Sequence, residues 1–475
     1  MRMVKGFVGR EKELASLEKL YQKDKFECIV LYGRRRIGKT TLISKFIEGK
    51  PAIFYTAQEA SDRINLEAFS RKVYQFFDVP ETAGAFESWN TAFSFLAEKA
   101  RQQRFVLAFD EFPYAATANT ALPSILQNAI DHEFRDTGMY LILCGSHVGF
   151  MENEVLGYKS PLFGRRTAQI KLEALDYLDA SRMLPGFTNE EKILLYGCIG
   201  GTPHYLAQVD NDVTFEENIA SLFFDISGYL YREPMMLLQQ ELREPAMYNS
   251  IISAIASGAS RISDIANRLG EDNTKIGKYL RTILNLQLAV KKYPFGDNPE
   301  TSKKAIYALA DNCYLFWYRF VFPAIPEIES GSGDIIAKRL ANSDLLSQYM
   351  GKNVFEDVCL QFLRRKNRQG ELPFLGTSFG SWWGNDVRLR RENDIDVIMA
   401  DRETKQALLG ECKWKNSAPD KNDILNGIEK DYLLKDYQTF YHCFFSKTAY
   451  EDKIIRELGS SENAPKLYVL DDLFH

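Results

Sequence analysis

Histidine is scarce, five residues in 475, and no two form HxxxH. The seven cysteines stand apart at 28, 144, 198, 313, 359, 412 and 443, and no CxxC occurs. These absences exclude the common zinc spacings and a disulfide framework. Scattered thiols of this kind read as buried apolar groups in a reducing compartment. No apolar run reaches the ~20 residues of a membrane-spanning helix. The opening MRMVKGFVGREKEL turns charged too early for a signal peptide, so the expectation is a cytoplasmic protein with no membrane partner. Neither sign of charge dominates, since 59 Lys and Arg against 64 Asp and Glu leave a formal net charge of -5. That argues against a whole-chain basic binder and leaves local nucleic-acid surfaces open.

What is present is a globular composition, 45% hydrophobic and 26% charged. At ~100–200 residues per domain the length suits two to four domains, each able to bury a core. FECIVLYG (Phe26–Gly33), AIFYTA (Ala52–Ala57), RFVLAFDEF (Arg104–Phe112) and MYLILCGS (Met139–Ser146) read as buried strands. TTLISKFI reads as a helix after the first of them. Near-continuous apolar strands separated by helices predict a parallel α/β sheet covered on both faces, with ligands at the C-terminal strand ends.

From about Leu172, EALDYLDASRML, EEKILLYGCIG and FEENIASLFFDI read as the short helices of a small lid subdomain. Three helices follow near Glu244, in AMYNSIISAIASG, RISDIANRLG and NTKIGKYLRTILNLQLAV. KKYPFGDNPETSKKAIYALA then reads as strand, polar turn and strand, which completes the order of a winged helix. Ala324–Asp334 is rich in Gly, Ser and Pro and reads as a linker. The predicted division is a first α/β core over 1–170, a helical lid over 171–242, a winged helix over 243–323, a linker over 324–334 and a final α/β unit over 335–475.

Gly33 to Thr40, GRRRIGKT, completes GxxxxGK(S/T) between a predicted strand and a predicted helix, the context that gives the motif its meaning. Gly33 and Gly38 let the backbone curl so that its N–H groups face phosphates. The following helix N-terminus adds favourable partial charge. Lys39 is placed to pair with β- and γ-phosphate oxygens, and the Thr40 hydroxyl to bind Mg²⁺. Ile37 and Thr41 stand beside them as further candidate nucleotide contacts. A strand ending in Asp110 and Glu111 supplies the acidic half, because buried carboxylates need a metal or donors to offset desolvation. Asp110 would hold the Mg²⁺ shell, and Glu111 would position or activate water. Of Arg34, Arg35 and Arg36, two are expected to face solvent.

These residues resemble AAA+/STAND-type P-loop ATPases, in particular the archaeal-type group with a C-terminal nuclease-like domain. FVGREKELASLEKLY is similar to that family's N-terminal box, which implies that Arg10 lies near the nucleotide base. LILCGSHVGFM is similar to the strand with a polar sensor, here Ser146, and SPLFGRRTAQIKL to a segment whose Arg165 or Arg166 would sense the γ-phosphate. Gly200-Gly201-Thr202-Pro203 is similar to the lid motif whose proline, Pro203, packs near adenine. His204 reads as a packing or capping residue.

In the third winged-helix helix, Ile276, Leu280, Ile283 and Leu284 keep helical spacing, while Lys275, Lys278 and Arg281 fall on another face. Residues 243–310 carry ten Lys and Arg against six Asp and Glu, a net of +4. A recognition helix near phosphates and an interdomain clamp both fit. The cluster Tyr314, Phe316, Trp317, Tyr318 and Phe320 reads as packed core rather than a base-stacking platform.

Asn393–Met399 reads as a strand and Ala407–Trp414 as its hairpin partner or neighbour. Alternation puts Asp394 and Asp396 on one face, and Glu411 and Lys413 on one face. Clustered carboxylates suit Mg²⁺ or Mn²⁺, and a lysine can stabilise charge on a phosphodiester. The pattern resembles the PD-(D/E)XK nuclease superfamily. The resemblance implies that Asp396 is the first metal-binding aspartate, that Glu411-Cys412-Lys413 is the (D/E)XK element, and that Glu356 is the helical glutamate. Arg364, Arg365, Lys366 and Arg368, with Arg388, Arg390 and Arg391, could grip a phosphate backbone or be a solvated surface. Trp382 and Trp383 read as packing residues.

The expectation is a P-loop NTPase sheet with a helical lid, then a winged helix, then a restriction-endonuclease-like α/β domain. It would bind and hydrolyse ATP with Mg²⁺, its ATP state would control the effector, and its partners would include DNA or another nucleic acid and nucleotide-dependent copies of itself. A signalling or scaffolding switch with an inactive nuclease fold, and a winged-helix DNA-binding regulator, are the alternatives.

Overall fold

The computed structural model describes residues 7–80, 82, 84–242, 244–458 and 464–475. Residues 1–6, which precede the N-terminal box, and Arg243, the expected start of the winged helix, lie outside them. Three strands are buried along their whole length: β1 (Glu27–Tyr32), and, further along the chain, Val106–Asp110 and Tyr140–Gly145. With β2 (Ala52–Thr56), these become β3 and β4, and β5 (Ala168–Lys171) completes a sheet of order β2-β3-β4-β1-β5. Every pairing in it is parallel. Alternation sorts the side chains into two cores. Cys28, Val30, Leu107, Phe109, Leu141 and Leu143 enter one; Ile29, Leu31, Val106, Ala108, Ile142 and Cys144 enter the other. A sheet covered on both faces is why these strands read as continuous apolar runs. The β5 strand was not expected. It is a half-exposed edge, and AQIK carries no apolar run.

Two helices frame the phosphate loop, α1 (Glu11–Tyr21) and α2 (Lys39–Ile47). The loop follows β1. Asp110 ends β3, and Ser146 follows β4, so the parallel register brings these C-terminal ends to one edge of the sheet.

The chain divides into two compact units. One runs to Leu175 and includes Thr202–His204; the other is Asp176–Gly201 with Tyr205–His475. The lid was expected to belong with the first core, yet its helix α3 (Asn189–Ile199) belongs to the second unit. Later residues hold it there: Tyr349 donates to the Gly197 carbonyl at 2.7 Å and Asn312 to that of Tyr196 at 3.2 Å.

Helices α4 (Pro245–Ala256), α5 (Ile262–Leu269) and α6 (Asn273–Asn285) precede an antiparallel pair, β6 (Ala289–Lys292) and β7 (Ile306–Leu309). Tyr314, Phe316, Trp317 and Tyr318 are buried. The segment read as a linker, 324–334, is helical apart from a kink at Gly331. Its glycine serves close packing instead of flexibility, because a Cβ on Gly333 would stand 1.8 Å from the Phe224 carbonyl oxygen.

The last unit is a mixed five-stranded sheet of order β12-β11-β10-β9-β8. Its strands are β8 (Ser378–Asp386), β9 (Arg391–Asp401), β10 (Gln406–Lys413), β11 (Thr439–Ser446) and β12 (Lys466–Val469). The first three run antiparallel, while β10, β11 and β12 run parallel. Helix α7 (Glu356–Gln369) packs against it, with Phe362 on the Phe445 and Tyr468 rings. Six of the seven cysteines are buried, Cys412 is partly buried, and all are free thiols. No helix among the described residues is long and apolar enough to cross a membrane.

Candidate functional site

Gly33 sits at φ 153°, and a Cβ there would lie 2.3 Å from the Leu172 carbonyl oxygen. No other residue fits this close approach, so the loop leaves β1 in one direction. Gly38, left-handed at φ 90°, is the N-cap of α2. Lys39 is 5% exposed and its ammonium donates to the carbonyls of Gly33 and Arg34, each at 2.9 Å. Burial pushes its pKa down. The Thr40 hydroxyl donates to an Asp110 carboxylate oxygen at 3.1 Å, and the other oxygen accepts from the Glu111 N–H at 3.0 Å. Thr40 and Asp110 oxygens therefore converge as hard donors beside the loop, the chemistry that suits Mg²⁺. Ile37 is buried and Thr41 half-buried.

Glu111 is left-handed at φ 50°. Both its carboxylate oxygens are engaged by Ser146, one by the N–H at 3.2 Å and the other by the hydroxyl. Arg10 is buried and donates to the Ile37 carbonyl at 3.2 Å and to that of Glu173, which ties the N-terminal box to the loop. Pro203 lies 4.0 Å from where a Gly38 Cβ would be, and the His204 N–H reaches the Arg36 carbonyl at 3.4 Å. The structure thus brings Arg10, Pro203, Asp110, Glu111 and Ser146 to the loop.

Two expectations change here. Arg165, one of the two arginines of which either was expected at the γ-phosphate, gives its guanidinium to Asp131 at 2.9 Å and to the Phe163 carbonyl at 2.8 Å, which leaves Arg166 as the candidate. That partner holds the Asp131 carboxyl below its usual range. Of the loop arginines none is fully exposed; all three are half-buried, and Arg35 donates to the Tyr114 hydroxyl at 2.7 Å.

On the second sheet, β9 and β10 pair as the expected hairpin, with Gly410 opposite Val397. Asp396 accepts the Cys412 N–H at 2.7 Å, which sets it beside the Glu411–Lys413 stretch. Glu356 opens α7 on the same site. Burial raises its carboxyl to about 8, with Asp396 and Asp394 adding repulsion. Burial, then Glu411, raises Asp396 to about 7. Burial alone would lower Lys413, but Glu411 and Asp396 outweigh it and hold the ammonium high.

Glu411 has a partner that the sequence did not suggest. Its oxygens are held by Lys413 at 3.3 Å and by Lys430, which also donates to the Asp394 carbonyl at 2.8 Å. Lys430 lies beyond the strand, after a short helix, with no motif to mark it. Among the described residues no three His, Cys, Asp or Glu groups are arranged to hold a metal. The expected carboxylate trio is accordingly a Glu356–Asp396 pair plus a Glu411 neutralised by two lysines. The pair still fits a hard cation in donor type, since its burial and mutual repulsion disfavour two free negative charges. On α7, Arg365 is bound to Asp176 at 2.7 Å and Lys366 to Glu371 at 2.6 Å, so half of that basic group is paired.

Comparison with known proteins follows the same division. The profile described as "ATPase domain predominantly from Archaea" matches residues 7–209, and that of "Archaea bacterial proteins of unknown function" matches 317–424. The chain is 32% identical over 442 residues to the uncharacterized protein MJECL04 of Methanocaldococcus jannaschii, covering 92% of this chain and 94% of that one. It is 54% identical over 44 residues to the uncharacterized ATP-binding protein MJ0423 of the same organism, 9% of this chain and 75% of that one. Among solved structures it is similar to the Walker-type ATPase paby2304 of Pyrococcus abyssi, with a TM-score of 0.51 and 19% identity, covering 65% of this chain and 95% of that one. That likeness is one of fold. With an ATPase domain that holds a complete phosphate loop, and a relative 32% identical over 92% of this chain, the chain belongs to the family of archaeal-type ATPases.

Proposed function

We propose that the chain binds and hydrolyses ATP, and that its nucleotide state controls a nuclease-like effector directed at nucleic acid. One observation supports this reading: a single chain holds two separate acidic clusters, Asp110–Glu111 beside the loop and Glu356–Asp396 with Glu411–Lys413 on the second sheet.

In the first site Lys39 leaves the loop carbonyls for β- and γ-phosphate oxygens, a like-for-like exchange of acceptors. Thr40 and Asp110 would hold Mg²⁺, which neutralises phosphate charge when bound. Glu111 orients water once it is free of Ser146. Arg10 and Pro203 border the nucleotide. In the second site Glu356 and Asp396 would hold Mg²⁺ or Mn²⁺, which would supply Lewis acidity, and Glu411 would join them once Lys413 and Lys430 release it. Lys413 stabilises charge on the phosphodiester. Residues 245–309 act as a winged helix, with Lys278 and Arg281 exposed on α6.

A second reading has its own support. Glu411 is occupied by two ammonium groups, as in a switch that keeps a nuclease-like fold without cleavage. Two measurements decide. Lys39→Ala should lower ATP turnover at least ~100-fold, the scale of losing a charge-stabilising group; unchanged turnover and affinity would remove the ATPase assignment. Plasmid and single-stranded DNA with Mn²⁺ should be cut; a protein that turns over ATP and leaves all DNA intact is the switch.

A further inference from the structure

The turn joining β8 to β9 carries Val387, Arg388, Leu389 and Arg390, and Arg391 opens β9. All five are exposed, Val387 by 84% and Leu389 by 47%. The turn is held in one shape. Asp386, 1% exposed, accepts the N–H groups of Arg388 at 2.9 Å and Leu389 at 3.1 Å, the Asn393 amide at 2.9 Å, and the Tyr432 hydroxyl. Arg390 is left-handed at φ 53°, and the Arg388 guanidinium lies 4.9 Å from the Tyr432 ring centroid. A buried carboxylate is thus used to fix a tip that presents cations and aliphatics to solvent.

These arginines differ from those on α7. Arg365 is neutralised by Asp176, and Lys366 by Glu371. Among the described residues Arg388, Arg390 and Arg391 make no ion pair, and Glu392 is the exposed acid adjoining them. Unneutralised guanidinium groups around exposed aliphatic side chains suit a duplex. Arginines take phosphates and the narrow groove, and an apolar side chain wedges between base steps.

Position on the strand supports that occupant. Asp396 lies five residues beyond Arg391 on the same strand. At ~3.4 Å per residue that is about 17 Å. It spans ~5 base pairs at 3.4 Å each.

We propose that the β8–β9 turn is a rigid clamp for duplex DNA, gripping it roughly five base pairs from the phosphodiester that faces Asp396. This rests on the nucleic-acid reading of the second sheet.

Fluorescence anisotropy of the full chain with labelled duplex DNA, from about 50 to about 200 mM salt, tests it. Arg388→Gln/Arg390→Gln/Arg391→Gln should weaken binding at least ~10-fold and lower the salt slope by ~2–3. Arg388→Gln/Arg391→Gln leaves the left-handed position intact and should lower the slope by ~2. Leu389→Ser should weaken binding with the slope unchanged. ATP turnover should stay at the wild-type value in all three, which reports folding. If the wild type binds duplex and the arginine variants bind it with the same affinity and slope, the clamp is wrong while the nucleic-acid reading stands. Wild-type binding to RNA alone, or to phosphatidylserine vesicles but not DNA, overturns the clamp. Binding to no nucleic acid at all overturns both.

Discussion

Arg165 and Glu111 show how a side chain's partner decides its use. Arg165 is committed to Asp131, with 28% and 19% of the two side chains exposed. A partly exposed pair of this kind contributes up to ~1 kcal/mol. Arg165→Ala should therefore leave ATP turnover within about threefold and lower stability slightly, since a γ-phosphate contact would cost ~100-fold. Steady-state turnover with a urea titration checks both halves. The carboxyls of Glu356 and Asp396 give a pH prediction. Each is raised in the folded chain, so it keeps its proton where the unfolded chain has lost it. The folded state then binds more protons between about pH 4 and the raised values, and stability falls as pH rises through that window. In chelator, melting temperature should drop from about pH 5 to about pH 8, and Asp396→Asn should flatten the drop. A flat wild-type profile would show that the two carboxyls are not strained by burial.

At the scale of elements, the strands around the phosphate loop were legible because burial on both faces forces a continuous apolar run. The hairpin of β9 and β10 was legible for a different reason, the alternation of Asp394 with Asp396 and Glu411 with Lys413. What escaped reading was set by distant packing. β5 is a four-residue edge whose pattern is half polar. The segment 324–334 has linker composition, yet Ile328 is buried and Gly333 lies under the Phe224 carbonyl. Lys430 reaches Glu411 across 19 residues of sequence, a separation no local motif encodes. The Gly333 reading has a direct check. Gly333→Val must displace the Phe224 backbone and should cost about 1–3 kcal/mol in urea unfolding, the range of overpacked cores. A neutral substitution there would mean the close approach is not needed.

Across the whole molecule, the chain passes between the two units at three points, at Leu175–Asp176 and on either side of Thr202–His204, the piece grouped with the first unit inside the sequence of the second. Pro203 and His204 meet the phosphate loop, while α3, just before them, is fixed by Asn312 and Tyr349. We propose that a change at the loop on ATP binding or hydrolysis reaches the unit that holds Asp396 through these covalent connections. The proposed nucleotide control of the effector belongs to this scale, as a population shift that binding energy would drive. The most direct measurement is cleavage of duplex DNA by the full chain with Mn²⁺, compared with ATP, with ADP and without nucleotide, for the wild type and Asp396→Ala. The account predicts cleavage whose rate depends on the nucleotide and which Asp396→Ala abolishes. Cleavage that is equal in all three nucleotide states, or that survives Asp396→Ala, would contradict it.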